Sequence, residues 1–353
     1  METTATPPPF PSPSHSYPSY LRNAAVLLLL MAGYLVYDQW KWWSSREDYS
    51  FGFIVPLFVG YVVYERWPKI RAFLLRREWE GAEAPVVPVS EAPLTRFLTF
   101  GAWAVALCGL GLFFLGGFLQ ALANNPLLPG GQALAFGFAA TALSLSFLAA
   151  GWAPTPPGTI VPARQRFFFA GLFVFPALIW ILSLPLLNFA EQRVSLFLLN
   201  QVTVVVFNLF DILGIPLEQR GNVLILEKGR VGVEDACSGI RSLTASLFAG
   251  SFLAAVFLDR WWKKVLMIAC AMILAFIMNI FRSIFLTAWA HMHGSDAIEG
   301  TVHDATGYAV LGFTCVGLLL LLPLFNFRLN LGASDEGDSD PAGDDRKADE
   351  RPE

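Results

Sequence analysis

The sequence predicts an all-α polytopic membrane protein. About eight transmembrane helices are expected, with one further helix lying in or on the outer interface and a short extracytoplasmic β-hairpin. Three observations carry this prediction. Of the 353 residues, 55% are hydrophobic and only 15% charged, with a mean hydropathy of +0.53, far from the soluble norm. Apolar runs long enough to cross ~30 Å of hydrocarbon recur along the chain, each needing roughly 20 residues, and a single soluble core does not accommodate that many. The spacing of Lys and Arg between those runs then orients them.

Taken in order, residues 1–21 form a Pro/Ser-rich leader without a basic n-region or a convincing cleavage site, so a flexible cytoplasmic leader is expected rather than a signal peptide. A multi-span membrane domain follows over 22–328, with spans expected at 22–38, 51–66, 97–119, 132–152, 167–188, 240–258, 265–289 and 305–325. Residues 329–353 are acidic and bury almost nothing, which predicts a disordered cytoplasmic tail.

The loop after the second span carries Arg66, Lys69, Arg71, Arg76 and Arg77. The loop after the fourth carries Arg164 and Arg166, and that after the sixth Arg260, Lys263 and Lys264. The positive-inside rule places all three in the cytoplasm with both termini. The uncharged "QALANNPLLPGGQ" then lies outside. Residues 194–215 are apolar but interrupted by Asn200, Gln201, Asn208 and Asp211. A crossing there would put Asp259 to Lys264 outside, so this segment is placed at the outer interface. "GNVLILEKGRVGVEDAC" reads as a hairpin around Lys228 and Gly229, leading directly to Cys237.

Cys108, Cys270 and Cys315 lie inside apolar runs, where a cysteine behaves as a small hydrophobe. No cysteine pairs occur at metal-ligand spacing, and neither zinc, a disulfide framework, a cofactor nor a nucleic-acid partner is expected. Cys237 is different, because the threading puts it at the outer mouth of the sixth span. Arg282 lies ~27 Å up the seventh span, counted from Lys264 at 1.5 Å per residue, and His303 lies at the outer mouth of the eighth. Three residues distant in sequence therefore share one depth. Neighbouring cations raise the thiolate fraction of a cysteine; Arg donates to the oxyanion of a tetrahedral intermediate; His protonates a leaving amine and activates the next nucleophile. Together they suffice for acyl transfer. The plainer alternatives are an inert cysteine, a snorkelling or lipid-binding Arg282, and a His303–Asp304 pair capping a helix start. Arg241, one turn after Cys237, stands open as a lipid partner, a substrate-orienting group or the activating cation.

The blocks "EDACSGIRSL", "NIFRSIFL" and "EGTVHDATGY" resemble, in order, the signature blocks of the exosortase and archaeosortase family, and "DYSFGFIVP" (Asp48 to Pro56) is similar to its early motif. The resemblance runs from roughly residue 40 to 325. It implies Cys237 as nucleophile, Arg282 as charge stabiliser and His303 as acid/base. Asp48, Tyr49, Ser50, Asn279 and Arg241 are the accompanying candidates for substrate binding. Phe51 departs from the pattern, standing where members often have His.

What the resemblance implies is a bacterial inner-membrane cysteine protease or transpeptidase whose site faces the periplasm. Its partners would be exported proteins with a C-terminal sorting signal, made of a motif, a transmembrane helix and a basic cluster, together with the bilayer and an acyl acceptor of unknown identity. Such members accompany PEP-CTERM-type proteins and exopolysaccharide production. A protease acting by hydrolysis alone uses the same trio. A transporter or an export scaffold is the alternative of a different class, but transport predicts polar groups near the bilayer midplane, whereas those singled out here gather at the outer surface.

Overall fold

The computed structural model describes residues 19–75, 86–123, 128–153, 155–185, 188–226, 229–232 and 239–326. Most of the expected leader, the acidic tail, Arg76, Arg77, Lys228 at the hairpin turn and Cys237 lie outside the described residues.

Ten α-helices are described: α1 (Ser19–Ser45), α2 (Val55–Leu74), α3 (Pro93–Leu122), α4 (Leu128–Gly151), α5 (Ala163–Gly171), α6 (Val174–Leu182), α7 (Asn188–Ile212), α8 (Gly239–Phe257), α9 (Trp261–His293) and α10 (Thr301–Asn326). Strands β1 (Val87–Pro88) and β2 (Thr159–Ile160) pair antiparallel. Strands β3 (Leu217–Arg220), β4 (Val223–Leu226) and β5 (Gly229–Gly232) form an antiparallel sheet in that order. The expected hairpin corresponds to β4 and β5, and β3 extends it by one strand.

Six helices, α1, α3, α4, α7, α9 and α10, are long and apolar enough to cross a membrane, and the bent pair α5 and α6 makes a seventh if it is one span. The protein is a polytopic membrane protein. The span expected at 51–66 differs from this set for a physical reason. Residues 51–54 belong to a 3₁₀ turn (Glu47–Ile54), and α2 carries Glu65, Arg66, Lys69 and Arg71, which lower its hydropathy. α8, Gly239–Phe257, lies on the span expected at 240–258, and its described stretch Ser242–Phe257 is apolar. The single span expected at 167–188 is broken by a 50° bend between α5 and α6.

Side chains cover the carbonyls exposed at that bend and beyond it. Arg66, expected in a loop, is buried in α2 and donates to Leu172 O at the bend and to Ala255 O in the last turn of α8, the latter at 2.6 Å. Arg166, also expected in a loop, is buried in α5, donating to Val161 O at 2.9 Å and to Thr99 Oγ1 at 3.0 Å. From α1, Gln39 donates to Trp180 O at 3.1 Å and Trp43 Nε1 to Ser183 O at 2.9 Å. Each buried donor thus meets a backbone acceptor, which hydrocarbon would not supply.

These contacts define two ends of the bundle. Lys264 lies near Arg66 and Lys69, and Lys263 donates to Phe325 O at the end of α10, so one end is basic. At the far end α1 and α6 finish together, and α8 begins beside them, Thr244 Oγ1 donating to Asp48 O at 3.5 Å. Helix α7 starts at this far end, where Glu191 meets Arg46. It then runs along α9 and finishes with Phe210 packed on Leu224 of the sheet. That sheet rests on Leu286 and Ala290 near the end of α9. α7 has the length of a span and packs along α9 from Phe276 to Ala288.

α3 and α4 pack through glycines seven residues apart on each helix. A Cβ at Gly137 would lie 2.6 Å from Phe113 N, and one at Gly116 2.8 Å from Gly130 O. Such contact is close enough for helix association by dispersion alone. Gly111 has nothing within 4 Å. Replacing Gly137 by Val should therefore destabilise the protein by about 1–3 kcal/mol. Gly111→Val should leave the midpoint of thermal unfolding in detergent near that of the parent.

Candidate active site

Arg282 and His303 meet at the far end of the bundle. α9 runs 33 residues from Trp261 without Gly or Pro, so it rises as one rod until Gly294, whose φ of 92° ends it. Arg282 stands about two-thirds of the way along and is 8% exposed. α10 starts at Thr301 after Gly300, another left-handed glycine at φ 62°. His303 therefore falls in the first turn of α10. Gly307, one turn further on, leaves room beside the guanidinium, since a Cβ there would lie 3.5 Å from Arg282 Nη2.

Arg282 Nη2 stands 3.0 Å from His303 Nε2 and donates to the His303 carbonyl at 3.2 Å. A guanidinium only donates, so Nε2 is the acceptor and the imidazole proton sits on Nδ1. That geometry differs from a helix-capping His303–Asp304 pair, because the ring faces α9 rather than its own helix start. The neutral imidazole keeps a lone pair on Nε2, held by the cation until something else claims that cation.

Asn279, 4% exposed, lies on the same face of α9 one turn before Arg282. It borders a small crevice with Ser242 and Leu243 of α8. The early block sits alongside. Asp48 is half-buried, Ser50 exposed, and Tyr49 fully buried among Trp43, Val55 and Phe113 in the main core cluster, where it reaches no surface. Gly52 admits the Trp43 indole, whose Nε1 would be 2.1 Å from a Cβ at that position. Phe51 packs on Phe248 of α8 with ring centroids 5.0 Å apart, and Phe248 in turn stacks on Phe58. Arg241 belongs to the first turn of α8, its side chain outside the described set, as is Cys237.

The structure thus brings Arg282, His303 and Asn279 together and sets the backbone of Asp48 against α8. It also shows a pair that sequence reading missed. Arg46, at the start of the 3₁₀ turn, holds Glu191 of α7 through two bonds of 2.5 and 3.2 Å, lies 3.9 Å from Asp48, and covers the ring of Tyr49. The Glu191 hydrogen bond keeps the Arg46 guanidinium above its ordinary pKa. With 145 residues between the partners, no local pattern announces this pair. Cys108, Cys270 and Cys315 are free thiols. Among the described residues, no group of three or more His, Cys, Asp or Glu could hold a metal ion.

A family model described as Transmembrane exosortase (Exosortase_EpsH) matches residues 42–320. Neither a curated protein nor a solved structure matches the chain.

The Arg46–Glu191 pair is partly shielded and bidentate, so it should exceed the weakest surface pairs. A double-mutant cycle with Arg46→Ala and Glu191→Ala, read by thermal unfolding in detergent, should give a coupling of about 1 kcal/mol. A coupling indistinguishable from zero would leave the position of α7 to its apolar contacts alone.

Proposed function

The chain belongs to the transmembrane exosortase family, membrane proteins involved in sorting exported proteins, and on that premise we propose that it is a cysteine transpeptidase or protease. It cleaves the C-terminal sorting signal of exported proteins at the outer face of the cytoplasmic membrane, with both its own termini inside. The observation that carries this reading is the contact of Arg282 with His303 Nε2 between α9 and α10. It supplies an obligate donor and a proton acceptor at one depth, both close to where α8 begins.

The roles follow from that contact. In the free protein Arg282 occupies Nε2; when a substrate carbonyl arrives, the guanidinium turns to the developing oxyanion and releases the lone pair. Nε2 then takes the proton of the Cys237 thiol as sulfur adds to the carbonyl carbon. Collapse of the tetrahedral intermediate breaks the C–N bond, and His303 delivers that proton to the leaving amine, which leaves a thioester on Cys237. An acceptor bearing N–H or O–H gives its proton to Nε2, attacks the thioester and expels the thiolate. Arg282 serves both tetrahedral intermediates. An amine acceptor gives transpeptidation and water gives hydrolysis, with the same residues in the same order.

The test uses membranes that hold the full chain and a reporter ending in an extended segment, an apolar helix and an arginine cluster. Cys237→Ala and Cys237→Ser should accumulate uncut reporter, while Ala at Cys108, Cys270 or Cys315 should process normally. Arg282→Lys should accumulate like the parent yet cleave ~10²- to 10³-fold more slowly, because an ammonium does not reproduce a planar fork of donors. Arg241→Lys should be affected less. Parental turnover in Cys237→Ala would remove the covalent mechanism. Near-parental turnover in Arg282→Lys would reduce that residue to an anchor.

A further inference from the structure

Beside the Arg282–His303 pair lies a crevice that the acyl-transfer steps do not use. Three helices bound it: Leu198 of α7, Ser242 and Leu243 of α8, and Ala275, Phe276 and Asn279 of α9. Asn279 precedes Arg282 by one turn, so the upper edge of the crevice lies ~4.5 Å below the Arg282 backbone along the helix axis. Successive residues of a peptide are 3.8 Å apart. A peptide whose carbonyl reaches Arg282 therefore brings an adjacent side chain level with Asn279.

The lining fixes what fits. Four of the six side chains are apolar, and Asn279 and Ser242 are the two polar ones. Among the described residues that line the crevice none is charged, so a charged side chain would find no partner among them. The space is narrow. Its α7 wall is also held in place, since Glu191, two turns before Leu198 on the same helix face, is bound to Arg46.

We propose that this crevice receives the side chain of the substrate residue adjoining the cleaved bond, and that Leu198, Ser242 and Asn279 restrict that residue to a small uncharged one. This rests on the acyl-transfer reading above. Leu198 sets the size limit, because it alone of the lining comes from α7 and does not belong to the core between α7 and α9.

The test first locates the cut in the reporter by mass spectrometry, then varies each flanking residue through Gly, Ala, Ser, Leu, Trp and Asp. The parent should favour Gly, Ala and Ser over Leu at one flanking position by about ten-fold or more in kcat/KM. Leu198→Ala should raise kcat/KM for Leu at that position by about ten-fold, and Leu198→Trp should restrict cleavage to Gly. An unaltered residue preference in both variants, each accumulating normally, overturns the proposal, and Leu198→Ala alone decides it if the Trp variant does not accumulate.

Occupancy is read separately from turnover. A photo-crosslinking residue at position 198 should capture the uncut reporter in the Arg282→Lys background, and one at exposed Val204 of α7 should not. Capture from 198 with no cleavage even by the parent would remove the acyl-transfer reading and keep the crevice as a peptide-binding site. Cleavage by the parent without capture from 198 above that from 204 would remove the crevice and keep the reaction.

Discussion

The arrangement depends on a rule of hydrocarbon: a backbone carbonyl released from its helix must find a donor inside the protein. The bend between α5 and α6 releases one such carbonyl, the end of α6 leaves others, and two helices answer them. Arg66 of α2 reaches Leu172 O, while Gln39 and Trp43 of α1 reach Trp180 O and Ser183 O. Because Arg66 also takes Ala255 O from α8, one guanidinium ties a broken helix to the helix that follows the cysteine block. The far ends of α1 and α6 are thereby fixed against each other. Everything placed at that end inherits its position from these bonds.

Two devices build on that fixed end. The 3₁₀ turn that follows α1 presents Asp48 O to Thr244, which sets where α8 begins. Arg46 at the start of the turn holds α7 through Glu191. α7 buries Leu199, Val202, Val206 and Phe210, while Asn200, Gln201, Asn208 and Asp211 are exposed beside apolar Phe197, Val204 and Val205. A helix with polar and apolar residues side by side on its outer surface suits a boundary between water and lipid. The helix that sequence reading placed at the outer interface runs along α9 from Phe276 to Ala288, and its length and hydropathy are those of a span.

Much of the architecture was legible because apolar run length and the Lys/Arg bias are physical requirements of a bilayer. What escaped was tertiary. Arg66 and Arg166 count as loop cations on a linear scan, and nothing local says that each will bury its guanidinium on carbonyls. The bend is an exception, since Pro176, which has no N–H to return to Leu172 O, is a local signal for it. The meeting of Arg282 and His303 was legible because two regular helices convert residue number into depth. The Arg46–Glu191 pair was not, since its partners lie on elements with no shared period. Phe51 gains an explanation from packing: it lies against Phe248, itself stacked on Phe58, an aromatic setting that suits a phenyl ring.

α9 also works as a graduated rod. From Trp261 to Arg282 it rises ~31 Å at 1.5 Å per residue, about one hydrocarbon thickness, and it continues through His293 to carry the sheet on its end. Lys263 and Lys264 mark the lower graduation and Arg282 the upper. Lipids with longer acyl chains would submerge the upper mark, and shorter ones would lift it into water; tilt absorbs part of either mismatch. The depth of Arg282 is thereby tied to bilayer thickness, so the membrane's own acyl-chain composition sets how far the proposed site stands from water.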